Sequence, residues 1–299
     1  MSLKFNLLTD HINDIGEGPI WSEYDHSIYW VDAGLKPLSI FKYDTHKEST
    51  IEIKLPFRPA SIRLNQQDQL LIGYQRGFAL LDIDTHKNYP IEINGVNFQE
   101  ERFNDSGADS RGRLWIGTFD RNLKDKKGKI YKFDHSLDAQ EMDGDFMMSN
   151  AIRWSPDYKT MYFCDSRPGV IYAYEYDIEI GKCSNRRVFL DFNNRTGRPD
   201  GATVDVDGNL WVAEIDAGLI LQINPNGIII NEISVPVSRP TSLTFGGRDL
   251  KTLFITSMTF GLNSEQLSKQ FYAGKLFSID TNSSGIKENY LFFKPQSKL

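Results

Sequence analysis

The chain has 299 residues, of which 40% are hydrophobic and 25% are charged, so it is long enough to bury a substantial core. Its formal net charge is −6, and its densest basic run, KDKKGK at 124–129, is short and typical of a solvated loop. This charge balance disfavours nucleic-acid binding.

The N-terminal stretch MSLKFNLLTDHIND lacks the long apolar core of a signal peptide. No stretch approaches the roughly 18 apolar residues of a membrane-spanning helix. Cys164 and Cys183 are the only cysteines, and we expect them to remain buried or free thiols in a reducing compartment rather than to form a disulfide. We therefore expect a cytoplasmic protein that does not act on membranes.

Six similar stretches follow in chain order, each with a short apolar strand, a polar turn and a second apolar strand. They are GEGPIWSEYDHSIYWVDA from Gly16, RPASIRLNQQDQLLIGY from Arg58, FNDSGADSRGRLWIGT from Phe103, SNAIRWSPDYKTMYFCDS from Ser149, GRPDGATVDVDGNLWVAE from Gly197 and PTSLTFGGRDLKTLFITS from Pro240. Most are followed by a third strand, such as SIFKYD, and often by a weaker fourth, such as STIEIKL. The interval of about 45 residues is typical of a four-stranded propeller blade.

The repeats predict an all-β fold, a six-bladed β-propeller with four-stranded antiparallel blades, formed by residues 1–299 as a single domain. A β-sandwich or two separate β-domains would not require six regularly spaced units. A terminal strand should close the ring, because closure hides sheet edges. Either LKFNLL near the N-terminus or ENYLFF near the C-terminus could complete the last blade.

Aligning the six stretches places one residue of each at the start of a first strand, the strand that lines a propeller's channel. These aligned residues are Glu17, Ala60, Asn104, Asn150, Asp200 and Thr241. Four of the six carry carboxylate or carboxamide oxygens, which suit Ca²⁺, Mg²⁺ or Mn²⁺ better than a typical zinc site. A cation would also offset the repulsion between two nearby carboxylates. The alternative is that Asn and Asp begin these strands as turn formers.

The loops after the second strand of each blade should return to the same end and rim the channel mouth. The predicted rim segments are 33–37, 75–77, 119–128, 167–169, 216–218 and 258–274. The segments 258–274 and 119–128 are the expected substrate-contact or lid segments. Arg102, two residues before Asn104, is expected either to point into the mouth or to form a surface salt bridge.

Five motifs, in order, resemble those of the SMP-30/gluconolactonase/luciferin-regenerating-enzyme family, which includes regucalcin. They are GEGPIW, RFNDSGADSRGRLWIGT, SNAIRWSPDYKTMYF, RPDGATVDVDGNLWVA and TSLTFGGRDLKTLFITS, and the resemblance covers nearly the whole chain. It implies a six-bladed propeller with one catalytic divalent metal in the channel and, in many members, hydrolysis of sugar lactones. The family's metal ligands match Glu17, Asn150 and Asp200, and Asp200 also matches its proposed general base. The family's substrate-contacting residues match Arg102 and Asn104.

The third blade departs from the regucalcin pattern. Regucalcin-type members have a substrate-contacting Glu shortly after GTM, whereas this chain has GTFDRN, with Asn122 at the matching position and Asp120 two residues earlier. Either side chain could contact a sugar hydroxyl, so both are candidate substrate-binding residues. The regucalcin substrate preference therefore does not carry over to this chain.

These features predict a metal-dependent hydrolase that opens a sugar lactone such as gluconolactone to the sugar acid. The expected cofactor is one divalent cation, Ca²⁺, Mn²⁺, Mg²⁺ or Zn²⁺, with Ca²⁺ or Mg²⁺ favoured by the oxygen ligands. Two alternatives stay open: a calcium-binding regulatory protein without turnover, and a hydrolase of non-sugar lactones, esters or phosphotriesters on the same scaffold. The sequence specifies neither the lactone nor the oligomeric state.

Overall fold

The computed structural model describes residues 4–35, 37–66 and 68–294. Lys36, in the predicted rim segment 33–37, and Leu3, in the candidate strand LKFNLL, lie outside the described residues. The first strands in chain order are β1 (Asn6–Leu7), β2 (Gly16–Ser22), β3 (Ser27–Asp32), β4 (Ser39–Asp44), β5 (Ser49–Lys54), β6 (Pro59–Asn65), β7 (Gln69–Tyr74), β8 (Gly77–Asp82), β9 (Asn88–Ile91), β10 (Glu101–Ala108), β11 (Leu114–Asp120), β12 (Gly128–Phe133) and β13 (Gln140–Phe146). The remaining elements are β14 (Ser149–Trp154), β15 (Thr160–Asp165), β16 (Val170–Asp177), β17 (Lys182–Asp191), β18 (Arg198–Val204), β19 (Leu210–Ile215), β20 (Leu219–Ile223), β21 (Ile229–Ser234), β22 (Pro240–Gly246), β23 (Thr252–Ser257), α1 (Ser264–Ser268) and β24 (Phe277–Asp280).

These strands form six antiparallel four-stranded sheets, the blades of a six-bladed β-propeller. Blades one to five contain β2–β5, β6–β9, β10–β13, β14–β17 and β18–β21, and blade six contains β22, β23, β24 and β1. The first strand of each blade contacts the first strand of the next, and β2 contacts β22, which closes the ring. The predicted fold class is confirmed.

Burial decreases from the inner to the outer strands of a blade. The inner strands β6 and β22 are buried at every position, whereas the fourth strands β5 and β21 are exposed at most positions. Neighbouring blades pack through large side chains, such as Trp115 and Trp154, whose ring centroids lie 6.1 Å apart. Each such buried side chain contributes about 1.5–3 kcal/mol, so the apolar runs of the repeats hold the blades together.

Two of the hairpin turns are held by buried aspartates. Asp205 accepts hydrogen bonds from the backbone N–H of Asn209 (2.8 Å) and the indole N–H of Trp211 (2.9 Å). Asp109 accepts from the indole N–H of Trp115 at 3.2 Å. The pattern Asp-x-x-Gly-x-Leu-Trp, at 109–115 and 205–211, therefore has a structural role. Its Asp accepts a hydrogen bond from the buried indole, which needs an acceptor.

The N-terminal segment completes the last blade. In β1, Asn6 pairs with Ser278 and Leu7 pairs with Phe277 of β24. The other candidate, ENYLFF, adds no strand to blade six; Leu291 instead bridges Asn65 at the far end of inner strand β6. The N-terminal strand therefore closes the ring, and the C-terminal segment crosses the end opposite the mouth.

The rim segment 258–274, predicted as a loop, contains the five-residue helix α1. Asn263 caps this helix: its side chain accepts the backbone N–H of Gln266 (2.9 Å), and the Gln266 side chain accepts the backbone N–H of Asn263 (2.9 Å). Within the described ranges, no helix has the length and apolar character needed to cross a bilayer.

Replacing Leu291 with Ala should lower the free energy of unfolding by about 2–5 kcal/mol, because its fully buried side chain fills space between blades. Denaturant unfolding followed by tryptophan fluorescence measures the change. The matched control is Ile230→Ala on the outer strand β21, where the side chain is half exposed. Its expected cost is below about 1 kcal/mol. Equal costs for both variants would show that the C-terminal segment does not support the fold.

Candidate metal and substrate site

Each inner strand departs from regular pairing at the same place. The register shifts fall between Glu17 and Ile20, Pro59 and Ser61, Phe103 and Ser106, Asn150 and Arg153, Pro199 and Ala202, and Pro240 and Ser242. Each of the six aligned residues lies inside this bulge or is the last paired residue before it. A bulge bends a strand and redirects its side chains, which here concentrates six redirected positions at one end of the channel.

Three of the predicted site residues form a hydrogen-bonded row across neighbouring blades. The amide Nδ2 of Asn104 donates to Oδ1 of Asn150 at 2.8 Å. The Nδ2 of Asn150 in turn donates to Oδ1 of Asp200 at 2.6 Å. Both Asn150 and Asp200 are buried. Blades three, four and five therefore present one connected set of amide and carboxylate groups to the channel.

Gly201 permits the position of Asp200. A Cβ atom on Gly201 would lie 2.1 Å from the Oγ of Ser242 on the next inner strand, which no side chain could tolerate. The Asp-Gly pair therefore brings β18 and β22 close together while the carboxylate of Asp200 turns to the channel.

Glu17, the fourth polar residue of the aligned set, adds a second carboxylate to the site that contains Asp200. Its Oε2 accepts the backbone N–H of Gly18 at 3.2 Å. Burial raises the pKa of Glu17 well above its ordinary value, and the charges of Asp200 and Asp105 raise it further. Burial also raises the pKa of Asp200 to about 8, against the opposing charge of Arg198. Without a cation, the channel therefore disfavours full ionisation of its carboxylates.

Asp105 is a site residue that the repeat alignment missed. It follows Asn104 inside the same bulge, and its Oδ1 lies 3.0 Å from Nη2 of the buried Arg63 on the adjacent blade. Its Oδ2 accepts the backbone N–H of Ala151 at 2.9 Å. Ala151 has a φ of 48°, a left-handed conformation that costs a non-glycine residue about 1–2 kcal/mol. Asp105 thus helps hold the backbone beside Asn150 in the shape that the bulge requires.

The other two aligned positions bring no carboxylate or amide to the ring. Ala60 is apolar, and the hydroxyl of Thr241 donates to the carbonyl of Gly16 and lies 2.9 Å from the hydroxyl of Thr256. Blades two and six therefore contribute structure rather than candidate ligands.

Arg102 is buried beside the row rather than paired on the surface. Its Nη1 donates to the carbonyl oxygens of Phe98 and Glu101, at 2.5 and 2.6 Å. Burial lowers the pKa of Arg102, and the nearby charges of Arg76 and Arg121 lower it further. The guanidinium is thus fixed by backbone carbonyls, without a carboxylate partner in the described ranges.

The structure separates the roles of Asp120 and Asn122. Asp120 is buried, and its Oδ2 accepts the backbone N–H groups of Lys124 (2.8 Å) and Asp125 (3.2 Å), so it organises the 121–127 loop. Asn122 is exposed on that loop. Across residues 4–35, 37–66 and 68–294, neither side chain hydrogen-bonds to the Asn104–Asn150–Asp200 row.

The donor set suits a hard cation. No three His, Cys, Asp or Glu side chains in the described part of the chain are grouped so as to hold a metal by themselves. Glu17, Asn150 and Asp200 instead offer two carboxylates and one amide oxygen, a mixture that Ca²⁺ and Mg²⁺ accept. A positive ion would relieve the repulsion that raises the pKa of Glu17. The residues therefore fit a divalent cation chemically.

A family model for the SMP-30/gluconolactonase/LRE-like region matches residues 15–259. The chain belongs to this family. It is 33% identical over 277 residues to 6-deoxy-6-sulfogluconolactonase from Pseudomonas putida, covering 92% of this chain and 94% of that protein. It is 33% identical over 285 residues to regucalcin from Danio rerio, covering 93% and 94%. The crystal structure of regucalcin, a calcium-binding protein from Agrobacterium tumefaciens, shares the fold with a TM-score of 0.91, at 23% identity over 97% of this chain and 98% of that one.

In metal-free buffer, Asp200→Asn should stabilise the protein increasingly as the pH rises. A carboxyl whose pKa is raised on folding holds its proton more tightly in the folded state. Its contribution to stability is therefore largest in acid and is lost as the pH rises from about 4, the unfolded value, to about 8. The free energy of unfolding of Asp200→Asn relative to wild type should rise by about 1–3 kcal/mol between pH 5 and pH 8.

Denaturant titrations in EDTA at several pH values measure this difference. Asp207→Asn is the matched control, because Asp207 lies on the exposed turn of the same hairpin. A difference between Asp200→Asn and wild type that does not change with pH would contradict the burial of an ionisable Asp200.

Proposed function

We propose that this protein is a divalent-metal-dependent lactonase that opens a sugar lactone, such as gluconolactone, to the sugar acid. The carrying observation is the hydrogen-bonded row Asn104–Asn150–Asp200, in which Asn150 and Asp200 are buried, together with Glu17, whose pKa is raised by burial and by the charge of Asp200. A purely structural channel would not need carboxylates whose ionisation burial disfavours. The lactonase relative from Pseudomonas putida, which aligns over nearly the whole chain, supports the same class of reaction.

Glu17, Asn150 and Asp200 would hold the cation, with Ca²⁺ or Mg²⁺ favoured by the oxygen donors. A bound divalent cation supplies Lewis-acid polarisation of the lactone carbonyl and a positive charge that offsets the negative charge of the tetrahedral intermediate. The regucalcin from Agrobacterium tumefaciens that shares this fold is a calcium-binding protein, which agrees with a divalent cation as the proposed cofactor.

Asp200 would act as the general base that takes a proton from the attacking water. Its burial favours this role, because a carboxylate removed from bulk water is a stronger base. Asn150 orients the base through the 2.6 Å bond from its Nδ2 to Oδ1 of Asp200, which leaves Oδ2 of Asp200 to face a water molecule. The proton would then pass to the ring oxygen as the lactone bond breaks.

Arg102 and Asn104 would bind the substrate. Backbone carbonyls fix Nη1 of Arg102, which leaves the guanidinium's other N–H groups for substrate oxygens. The Nδ2 of Asn104 is occupied by the carbonyl of Ser149 and by Asn150. Its Oδ1 has no donor in the described ranges and could accept from a sugar hydroxyl. Asn122 stays a candidate contact on the exposed loop, and Asp120 is a candidate through the buried Oδ1 that has no partner there.

We also infer that residues 1–299 act as a single domain, because strands near both ends of the chain share blade six. A reducing, cytoplasmic location is supported by Cys164 and Cys183, which are both buried and free of disulfide bonds.

The test follows proton release from D-glucono-1,5-lactone by protein stripped with EDTA and then given Ca²⁺, Mn²⁺, Mg²⁺ or Zn²⁺, after subtraction of spontaneous hydrolysis. We expect at least one ion to restore turnover. Asp200→Asn should lower kcat by about 10²–10⁴-fold, because it removes the base and one charged ligand. Asp207→Asn should keep the wild-type rate.

A folded Asp200→Asn protein with a near-normal rate would rule out the assigned base. Tight metal binding by calorimetry without turnover of any aldonolactone would favour a calcium-binding protein instead. Faster hydrolysis of an aryl ester than of gluconolactone would favour the non-sugar substrate class.

A further inference from the structure

Arg76, Arg102 and Arg121 lie on adjacent segments of two neighbouring blades, and the charges of Arg76 and Arg121 act on Arg102. Arg76 lies on the β7–β8 loop, where the carbonyl of Gln75 accepts the backbone N–H of Phe103 at 3.2 Å. Arg121 lies on the β11–β12 loop, where its own backbone N–H donates to the carbonyl of Glu100 at 2.7 Å. These bonds anchor the two loops on either side of Arg102. The side chains of Arg76 and Arg121 are exposed, and Arg102 is buried between their loops.

No carboxylate neutralises this cluster within residues 4–35, 37–66 and 68–294. The charges that act on Arg102 there are those of Arg76 and Arg121, and both lower its pKa. The two nearby glutamates are engaged elsewhere. Glu100 pairs with Lys127 at 3.3 Å, and Glu101 accepts the hydroxyls of Thr118 and Tyr131. Three like charges are thus held together without an internal partner.

Three other arginines at this end of the propeller are paired, whereas Arg167 in the rim segment 167–169 is exposed and forms no ion pair among the described residues. Arg198 and Arg239 each lie 2.7 Å from a carboxylate oxygen of Asp216. Arg195 makes a 2.6 Å ion pair with the buried Glu214. Arg76, Arg102 and Arg121 differ from these paired arginines, and they are the unpaired arginines that lie on neighbouring loops beside Asn104.

We propose that Arg76, Arg102 and Arg121 bind an anionic substituent, a phosphate, sulfonate or carboxylate, on the sugar lactone. Planar guanidinium groups form paired, charge-assisted hydrogen bonds to such oxyanions. An anion at this position replaces the repulsion among the three arginines with attraction, and the exposed Arg76 and Arg121 attract it from solution. Because Arg102 lies two residues before Asn104, the anion would sit to one side of the reacting carbonyl. This inference rests on the proposed function for the identity of the sugar.

The first test compares hydrolysis of 6-phospho-D-glucono-1,5-lactone with that of neutral D-glucono-1,5-lactone. We expect kcat/KM to be at least about tenfold higher for the phosphorylated lactone, as one charge-assisted contact allows. In Arg76→Gln/Arg121→Gln this ratio should fall at least about tenfold. Arg248→Gln, which alters an exposed arginine on the β22–β23 turn at the opposite end, should keep the wild-type ratio. A ratio near one in wild type, or an unchanged ratio in the double variant, overturns the inference while leaving lactone hydrolysis intact.

A binding measurement separates this inference from the proposed function. Calorimetry compares gluconate with gluconate 6-phosphate, its 6-sulfonate analogue and the dicarboxylate glucarate. At least about tenfold tighter binding of one ligand that carries a second anionic group than of the monoanion gluconate, lost in the double variant, supports the anion site even without turnover. The ligand that binds most tightly identifies the anionic group. Equal affinities for all four ligands, or tight binding that survives in the double variant, overturn it.

Discussion

All six inner strands break their hydrogen-bond ladders at the same position, and this break decides which side chains reach the channel. A regular strand would send alternate residues into the packing between blades. The bulge instead turns Asn104 and Asp200 toward the axis and leaves Asn150 just before its own break. Two positions show the conformational cost of the bulges. Position 201 has no room for a side chain beyond that of glycine, and Ala151 holds an unfavourable positive φ. The ring closure of the propeller keeps these bulges in register.

The charge arrangement around the channel follows from that constraint. Bringing Glu17 and Asp200 toward one axis places two carboxylates under mutual repulsion, and Asp105 adds a third that is balanced by Arg63. Buried carboxylates without compensation are costly, so a site of this kind persists where a cation or a substrate offsets the cost. The stability of the protein and its proposed chemistry therefore make opposite demands on the same side chains.

Local sequence patterns were sufficient for the architecture and for the aligned positions. Each hairpin repeats at a nearly constant interval, so the six blades and the inner-strand residues Glu17, Asn104, Asn150 and Asp200 could be located by alignment alone. Asp105 was missed because its partners Arg63 and Ala151 lie on neighbouring blades. The choice between the two terminal segments likewise depends on tertiary contacts, whereas helix α1 and the loop around Asp120 are held by local hydrogen bonds to side chains. Periodicity does not report such contacts.

The two-residue strand β1 determines when the ring can close during synthesis of the chain. Leu7 leaves the ribosome before blades one to five, and its partner Phe277 leaves after them. Blades one to five each consist of strands that are consecutive in the chain, so each can pair locally as soon as it emerges. The ring can close only when blade six is made, which leaves β1 unpaired while blades one to five are synthesised. An edge that stays open for so long is exposed to intermolecular pairing, and its length of only two residues limits that hazard.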